Sequence, residues 1–182
     1  MKLSAARAFQ RGFTLIELLV VIGILGILAA ALVATIDPFE QLNKAQDSNS
    51  KNTATEFLNA NIRYYTTHGH MPWDSAGAAC LGSTVDPASY SLNPAGGILP
   101  CLQVLVSEGE LKSSFTTASG ILTGLTLNET GGNMTLCYKP LSKSQKRDAN
   151  TKFDADGTDH ATCTGGASNP VDPASTCFWC TL

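Results

Sequence analysis

Charged side chains are scarce in this chain. Lys, Arg, Asp and Glu make up 15% of its 182 residues, which is low for a soluble domain. Acidic residues are absent before Glu17, and Lys2, Arg7 and Arg11 are the only charged side chains in residues 1–12. The net charge of −3 makes the chain mildly acidic, which argues against generic nucleic-acid binding because such binding needs a basic face.

Cysteine is absent from the N-terminal part of the chain. Its six cysteines are Cys80, Cys101, Cys137, Cys163, Cys177 and Cys180. An even number confined to one part of the chain indicates disulfides formed in an oxidising compartment. We expect Cys80 to pair with Cys101, while the other pairings stay open. Cys177 and Cys180 form a CxxC motif, which we interpret as structural because no thioredoxin-like pattern or second close pair accompanies it.

A recognisable catalytic motif is also missing. No nucleophile and base occur in the arrangement that covalent or acid–base catalysis requires. We therefore expect that the protein is not an enzyme.

The long apolar segment is residues 13–36, in which Thr14, Glu17 and Thr35 are the only polar residues. At about 1.5 Å per residue, a helix of this length can cross a membrane. Cations precede the segment and acids follow it, which predicts a cytoplasmic N-terminus and an external body. A carboxylate inside such a segment is costly, so Glu17 indicates a function.

Three interpretations of this segment compete. A secretory signal cleaved near residues 28–31 would discard Glu17, which such a signal does not need. An uncleaved anchor would keep Glu17 without using it. The third interpretation follows from residues 11–17, Arg-Gly-Phe-Thr-Leu-Ile-Glu. This run resembles the class III signal of type IV pilins and type II secretion pseudopilins.

The resemblance implies how the N-terminus is processed. Residues 1–12 would be a cytoplasmic leader that a prepilin peptidase cuts between Gly12 and Phe13, and the new amine of Phe13 would be methylated. Residues 13–36 would form a single-pass anchor in the inner-membrane lipid and then the core of an extracellular or periplasmic filament. The partners would be other copies and an inner-membrane assembly platform, and Glu17 would pair with the Phe13 ammonium of a neighbouring subunit.

Residues 37–69 carry apolar residues near helical spacing, and Gly69 followed by Pro72 predicts the end of the helix. We expect one long, kinked helix from Phe13 to about His68. The stretch 47–52 is polar all round, so we expect it to be exposed or loosened. The Tyr-to-Pro segment 64–72 also resembles the helix end of these families.

Residues 70–182 form the predicted disulfide-containing head. Alternating patterns predict strands at 121–127, 134–139 and 151–153, and a short helix at 101–106. The predicted fold class is α+β and pilin-like: a long N-terminal helix, transmembrane in its first half, packed on an antiparallel sheet of three or four strands. The family resemblance implies that Cys163 pairs with either Cys177 or Cys180 around a variable loop. Cys137 would then pair with whichever of these two cysteines remains.

Two further clusters in the head allow alternative interpretations. Asp154, Asp156 and Asp159 resemble part of a calcium loop, but a plain Asp/Gly turn is favoured, so no cofactor is expected and calcium is the alternative. The basic cluster is either a solvated hairpin or a stripe that touches DNA or another anionic surface. Its members are Lys139, Lys143, Lys146, Arg147 and Lys152.

These patterns together favour a structural subunit of a type IV pilus-like filament that polymerises through its N-terminal helix. The alternative within the family is a type II secretion pseudopilin. The alternative from another class is a membrane-tethered extracellular binding module that does not polymerise.

Overall fold

The computed structural model describes residues 12–35, 37–74, 80, 90–130, 133–166 and 176–181. The predicted leader lies outside these residues except for Gly12. The chain divides into two compact units, one ending at Pro38 and the other beginning at Phe39.

Two helices occupy the N-terminal region, α1 at Leu15–Thr35 and α2 at Pro38–His68. Asp37 between them is not helical. The residue before a proline is disfavoured in the helical conformation, whereas proline itself fits a first helical turn. The Asp37-Pro38 dipeptide therefore explains why the structure has two helices where the sequence predicted one kinked helix.

One face of α2 supplies part of the core of the second unit. Its fully buried apolar residues Ala54, Phe57 and Ala60 recur at the spacing of a helix face, and Tyr64 extends this face towards the C-terminal end. α2 ends as predicted, because Gly69 has a left-handed φ of 75° and its amide donates to the Tyr65 carbonyl at 2.8 Å.

The sheet that packs on this face is antiparallel. Its strands are β1 Tyr90–Ser91, β2 Leu125–Thr130, β3 Asn133–Tyr138, β4 Thr151–Phe153 and β5 Phe178–Cys180. Their order across the sheet is β1-β2-β3-β5-β4, so the C-terminal strand lies between β3 and β4. β2 and β3 form a hairpin in which Leu125 faces Tyr138. The α+β class is confirmed.

Three short helices complete the head: α3 at Leu99–Ser107, α4 at Ser119–Leu122 and α5 at Lys143–Lys146. Short 3-10 helices lie at Pro94–Gly96 and Ser113–Thr117. Leu102 and Leu105 of α3 are fully buried in the same core as Phe57, and Phe115 stacks on Phe57 with ring centroids 6.2 Å apart. The region between α2 and β2 therefore contributes to the core.

Two details differ from the sequence-based expectation. The sheet has five strands where three or four were expected, because β1 has two residues and β5 three, which is too short for a visible alternating pattern. Residues 121–122 belong to α4 and not to a strand. Leu122 is fully buried there, so this apolar residue contributes to the core from a helical turn and not from a strand.

Asp47 is the largest departure from the predicted pattern. Asp47 was expected to be exposed, but only 3% of its surface is exposed, and the helix around it is continuous. Its carboxylate accepts the amides of Leu141 and Ser142 at 2.9 and 2.8 Å, together with the Ser142 hydroxyl. Asp47 therefore fixes the segment that leads into α5. About two helical turns earlier, Glu40 accepts the Lys143 amide at 2.9 Å.

We predict that Asp47→Ala lowers the free energy of unfolding of the head by about 2–4 kcal/mol, because it leaves buried donors without an acceptor. Chemical denaturation of the full chain in detergent micelles measures this. Glu56→Ala, at an exposed carboxylate of the same helix, is the matched control and should change stability by less than about 0.5 kcal/mol. Equal effects of the two variants would show that the Asp47 contacts contribute little.

We predict that Tyr138→Phe makes the head less sensitive to alkali. Burial, and then the charges of Asp47 and Asp148, raise the pKa of Tyr138. The folded state holds the phenolic proton of Tyr138 more tightly than the unfolded state does. The stability that this proton contributes is therefore fully present below the ordinary pKa of about 10 and is lost as pH rises above that value. The variant should therefore lose less stability above about pH 10 than the wild type.

At neutral pH the same variant should be as stable as the wild type, or more stable by about 1 kcal/mol. The Tyr138 hydroxyl is buried and has no hydrogen-bond partner among the described residues. Denaturation curves at neutral and alkaline pH test both points, with half-exposed Tyr65→Phe as the control. Strong destabilisation of Tyr138→Phe at neutral pH would contradict this account.

Candidate functional site

The N-terminus of α1 carries the carboxylate that the sequence singled out. Thr14 precedes the first helical residue, and Glu17 lies in the first turn. The Thr14 amide and hydroxyl donate to Glu17 Oε2 at 2.9 and 2.8 Å, and the Glu17 amide donates to Thr14 Oγ1 at 3.3 Å. These reciprocal bonds are a capping box, which satisfies free donors at a helix start.

Sequence reasoning assigned Glu17 to assembly and missed its local role. The signal was present, because a Thr followed three residues later by a Glu before an apolar run is the sequence pattern of a capping box. The helix dipole also favours an anion in the first turn. Glu17 thus has a local structural reason to be acidic, in addition to any contact with another chain.

The capping box leaves half of the carboxylate available. Both bonds from Thr14 reach Oε2, and no other described residue contacts Oε1. Glu17 is exposed in the single chain and lines a groove of about 380 Å³ with Phe13, Ile16, Val20 and Val21. An oriented, exposed anion in an apolar groove can accept a cation from outside the chain.

Gly12 and Phe13 lie just before this helix and outside it. Phe13 is 80% exposed. A Cβ placed on Gly12 would meet no heavy atom within 4 Å, so the described fold does not itself require glycine there. The peptide bond between these two residues is in non-helical, accessible backbone, which is the form that a peptidase can bind.

The surface of α1 is apolar and is not covered by its own chain. Residues Leu15–Val33 form a span of 19 residues with a mean hydropathy of 2.8, and none of this span is buried. Its large side chains are between 49% and 81% exposed. Exposed apolar surface on this scale indicates burial in lipid or against other chains.

Comparison with known proteins matches this N-terminus and, in the longest alignments, 70% to 77% of the chain. Residues 7–33 match the model of the prokaryotic N-terminal methylation motif. A type IV major pilin protein of Neisseria gonorrhoeae is 32% identical over 129 residues, which cover 70% of this chain and 67% of that relative. The chain belongs to the type IV pilin family.

Other relatives cover less of their own length. A second type IV major pilin protein of Neisseria gonorrhoeae is 31% identical over 140 residues, or 77% of this chain and 54% of the relative. The fimbrial protein EcpC of Eikenella corrodens is 40% identical over 77 residues, or 42% of this chain and 48% of the relative. The chain thus spans about half the length of most curated relatives it matches. No solved structure matches the chain.

The six cysteines of this type IV pilin form three disulfides: Cys80–Cys101, Cys137–Cys180 and Cys163–Cys177. The CxxC cysteines therefore take different partners. Cys137 and Cys180 face each other across β3 and β5, which joins the C-terminal strand to the centre of the sheet. Only the strand register decides between Cys177 and Cys180 as the partner of Cys163, and the sequence does not display that register.

The three aspartates considered for calcium contact different partners. Asp154 Oδ1 lies 3.6 Å from His160 Nε2, and Asp159 Oδ1 lies 3.2 Å from Lys152 Nζ. Hydrogen bonds from the Thr158 hydroxyl, and then from its amide, lower the pKa of Asp156. No group of three potential metal ligands occurs among the residues that the structure describes.

The basic cluster does not form one continuous stripe. Lys146 is buried to 8% exposure, and Lys152 pairs with Asp159. Lys139, Lys143 and Arg147 are exposed. Near the end of α2, the His68 ring stacks on Tyr64 with ring centroids 4.0 Å apart, and His68 Nε2 lies 3.8 Å from Glu108 Oε2.

Proposed function

We propose that this chain is a structural subunit of a type IV pilus-like filament and that it polymerises through α1. The observation that carries the proposal is the exposed apolar surface of α1, with an oriented carboxylate at its first turn. Membrane lipid can cover such a helix in the single subunit, and other copies of the helix can cover it in a filament. The similarity to major pilins favours a pilus over a secretion pseudopilus.

Cleavage between Gly12 and Phe13 by a prepilin peptidase would give Glu17 its partner. The cut creates an ammonium on Phe13, about one helical turn from Glu17. When helices of several subunits pack together, the carboxylate enters an apolar bundle, where an unpaired charge is costly. The Phe13 ammonium of a neighbouring subunit can then bind Oε1, while the capping box holds Oε2. This pairing would set the axial register between subunits.

The remaining steps of the proposal follow from this chemistry. The chain is anchored in the inner membrane with its N-terminus in the cytoplasm, and the assembly platform there adds it to the filament. Its role is structural and not catalytic. The competing proposal is a tether that uses α1 only as an anchor, for which the charge of Glu17 would be unimportant.

We predict that Glu17→Gln abolishes filaments without affecting insertion or cleavage. Glutamine keeps a carbonyl that accepts from Thr14 and so preserves the capping box, but it cannot neutralise the Phe13 ammonium. Loss of one partner of a buried pair costs about 3–5 kcal/mol, which is enough to prevent assembly. Filaments sheared from cells and quantified by immunoblot measure the effect.

Thr14→Val is the matched control for that experiment. It removes the hydroxyl that caps the helix, at a cost of about 1 kcal/mol, but keeps the Glu17 charge. Filaments should therefore persist at a reduced yield. If Glu17→Gln assembles as well as the wild type while Thr14→Val does not, helix capping and not charge pairing is the role of Glu17.

We predict that the mature wild-type chain begins at a methylated Phe13 and that Gly12→Val leaves the chain uncut. The substitution has room in the described structure, so the head should keep its three disulfides. Intact mass and N-terminal sequencing of the membrane fraction give the result. A wild-type chain that keeps Met1, or that starts after Ala31, would contradict the proposed processing.

A further inference from the structure

The head carries a groove at the C-terminal end of α2. The groove has a volume of about 530 Å³ and is lined by Ile62, Tyr65, Gly69, Met71, Asp74 and Glu129. We call it the acidic groove, because the two charged side chains among these described residues are both carboxylates. Ile62 and Tyr65 are 53% and 50% exposed, so its floor also offers apolar and aromatic surface to a partner.

The acidic groove is held in shape by the fold. The Trp73 indole donates to Glu129 Oε2, which orients this carboxylate, and no hydrogen bond from a described residue reaches its other oxygen. Asp74 is exposed beside it, and its amide donates to the Met71 carbonyl at 3.0 Å. A groove that needs no rearrangement loses little entropy when it binds.

The opposite end of the head presents the complementary chemistry. Leu141, Lys143 and Arg147 are exposed there, and we call them the basic end. Asp47 and Glu40 fix this segment through the amides of residues 141–143. The basic end combines an apolar side chain, 48% exposed, with two cations whose aliphatic stems can pack on apolar surface.

The two surfaces lie far apart along α2. The basic end is held at Glu40 and Asp47, about 18 to 25 residues before Tyr65 of the acidic groove, which is roughly 27–38 Å along a helix. They therefore cannot meet within one head. Contact between opposite ends of identical heads is heterologous, and such a contact builds an open filament whenever the rotation between copies does not close into a ring.

We propose that the acidic groove of one subunit binds the basic end of a second copy of this chain. Lys143 and Arg147 of one copy place their cations beside Asp74 and Glu129 of the other. A cation over the Tyr65 ring gains further attraction, and Leu141 packs against Ile62 and Met71. This inference rests on the proposed filament function and names the contact between heads, in addition to the packing of α1.

The first test is carbodiimide cross-linking of native filaments, followed by peptide mass spectrometry. A zero-length cross-link between Lys143 and Asp74 or Glu129 is expected in filaments and absent in detergent-solubilised monomers. Lys51–Asp148 and Lys152–Asp159, which are 3.5 and 3.2 Å apart within one chain, should cross-link in both samples and serve as internal controls. The inference is overturned if Lys143 in filaments cross-links only to other residues. It is also overturned if Asp74 and Glu129 cross-link to a different protein.

The second test is charge reversal. Lys143→Glu and Asp74→Lys should each lower the yield of filaments about fivefold, the size expected for one exposed charge pair. The combined variant should return to within about twofold of the wild type, because the attraction is restored with reversed sign. Glu56→Lys, at an exposed carboxylate away from both surfaces, is the control and should assemble normally.

The outcomes separate this inference from the function on which it rests. Wild-type chains that never form filaments contradict the proposed function. Wild-type filaments whose yield is unaffected by either single reversal, or is lowest in the combined variant, contradict only the contact between the groove and the basic end.

Discussion

Burial of one face of α2 is the constraint on which the head depends. Phe57 and its neighbours on that face share a single core with α3 and with strands β2 and β3. The same face buries Asp47, whose carboxylate would be costly there without its three hydrogen bonds from residues 141–142. The helix thus contributes both the apolar contacts and the polar anchor that hold the sheet connections in place.

The stability of α1 has a different source from that of α2. Its apolar side chains are exposed in the single chain, so its stability depends on lipid or on other copies. The capping box satisfies the first turn locally and therefore lets the helix begin at Leu15 in either environment. Because Thr14 occupies only one oxygen of Glu17, the same carboxylate can serve the subunit and the assembly.

Disulfides and surface ion pairs add to the apolar contacts that stabilise the head. The bridge between Cys137 and Cys180 holds β5 against the central strand β3, where three strand residues alone would bind weakly. The ion pairs of Lys51 and Lys152 with nearby aspartates close loops on the surface. Among the exposed charges, Lys143 is held beside the start of α2 and Asp74 follows its end, and this arrangement suits repeated stacking of identical heads.

The sequence by itself determined the family, the apolar span, the end of α2 at Gly69 and the α+β class. These features depend on local patterns: a run of apolar residues, a short motif, a helix stop and an order of elements. The tertiary structure decided the burial of Asp47, the place of β5 between β3 and β4, and the partners of Cys163 and Cys137. Each of these depends on residues far apart in the chain, whose register and contacts exist only after the helix and sheet have packed.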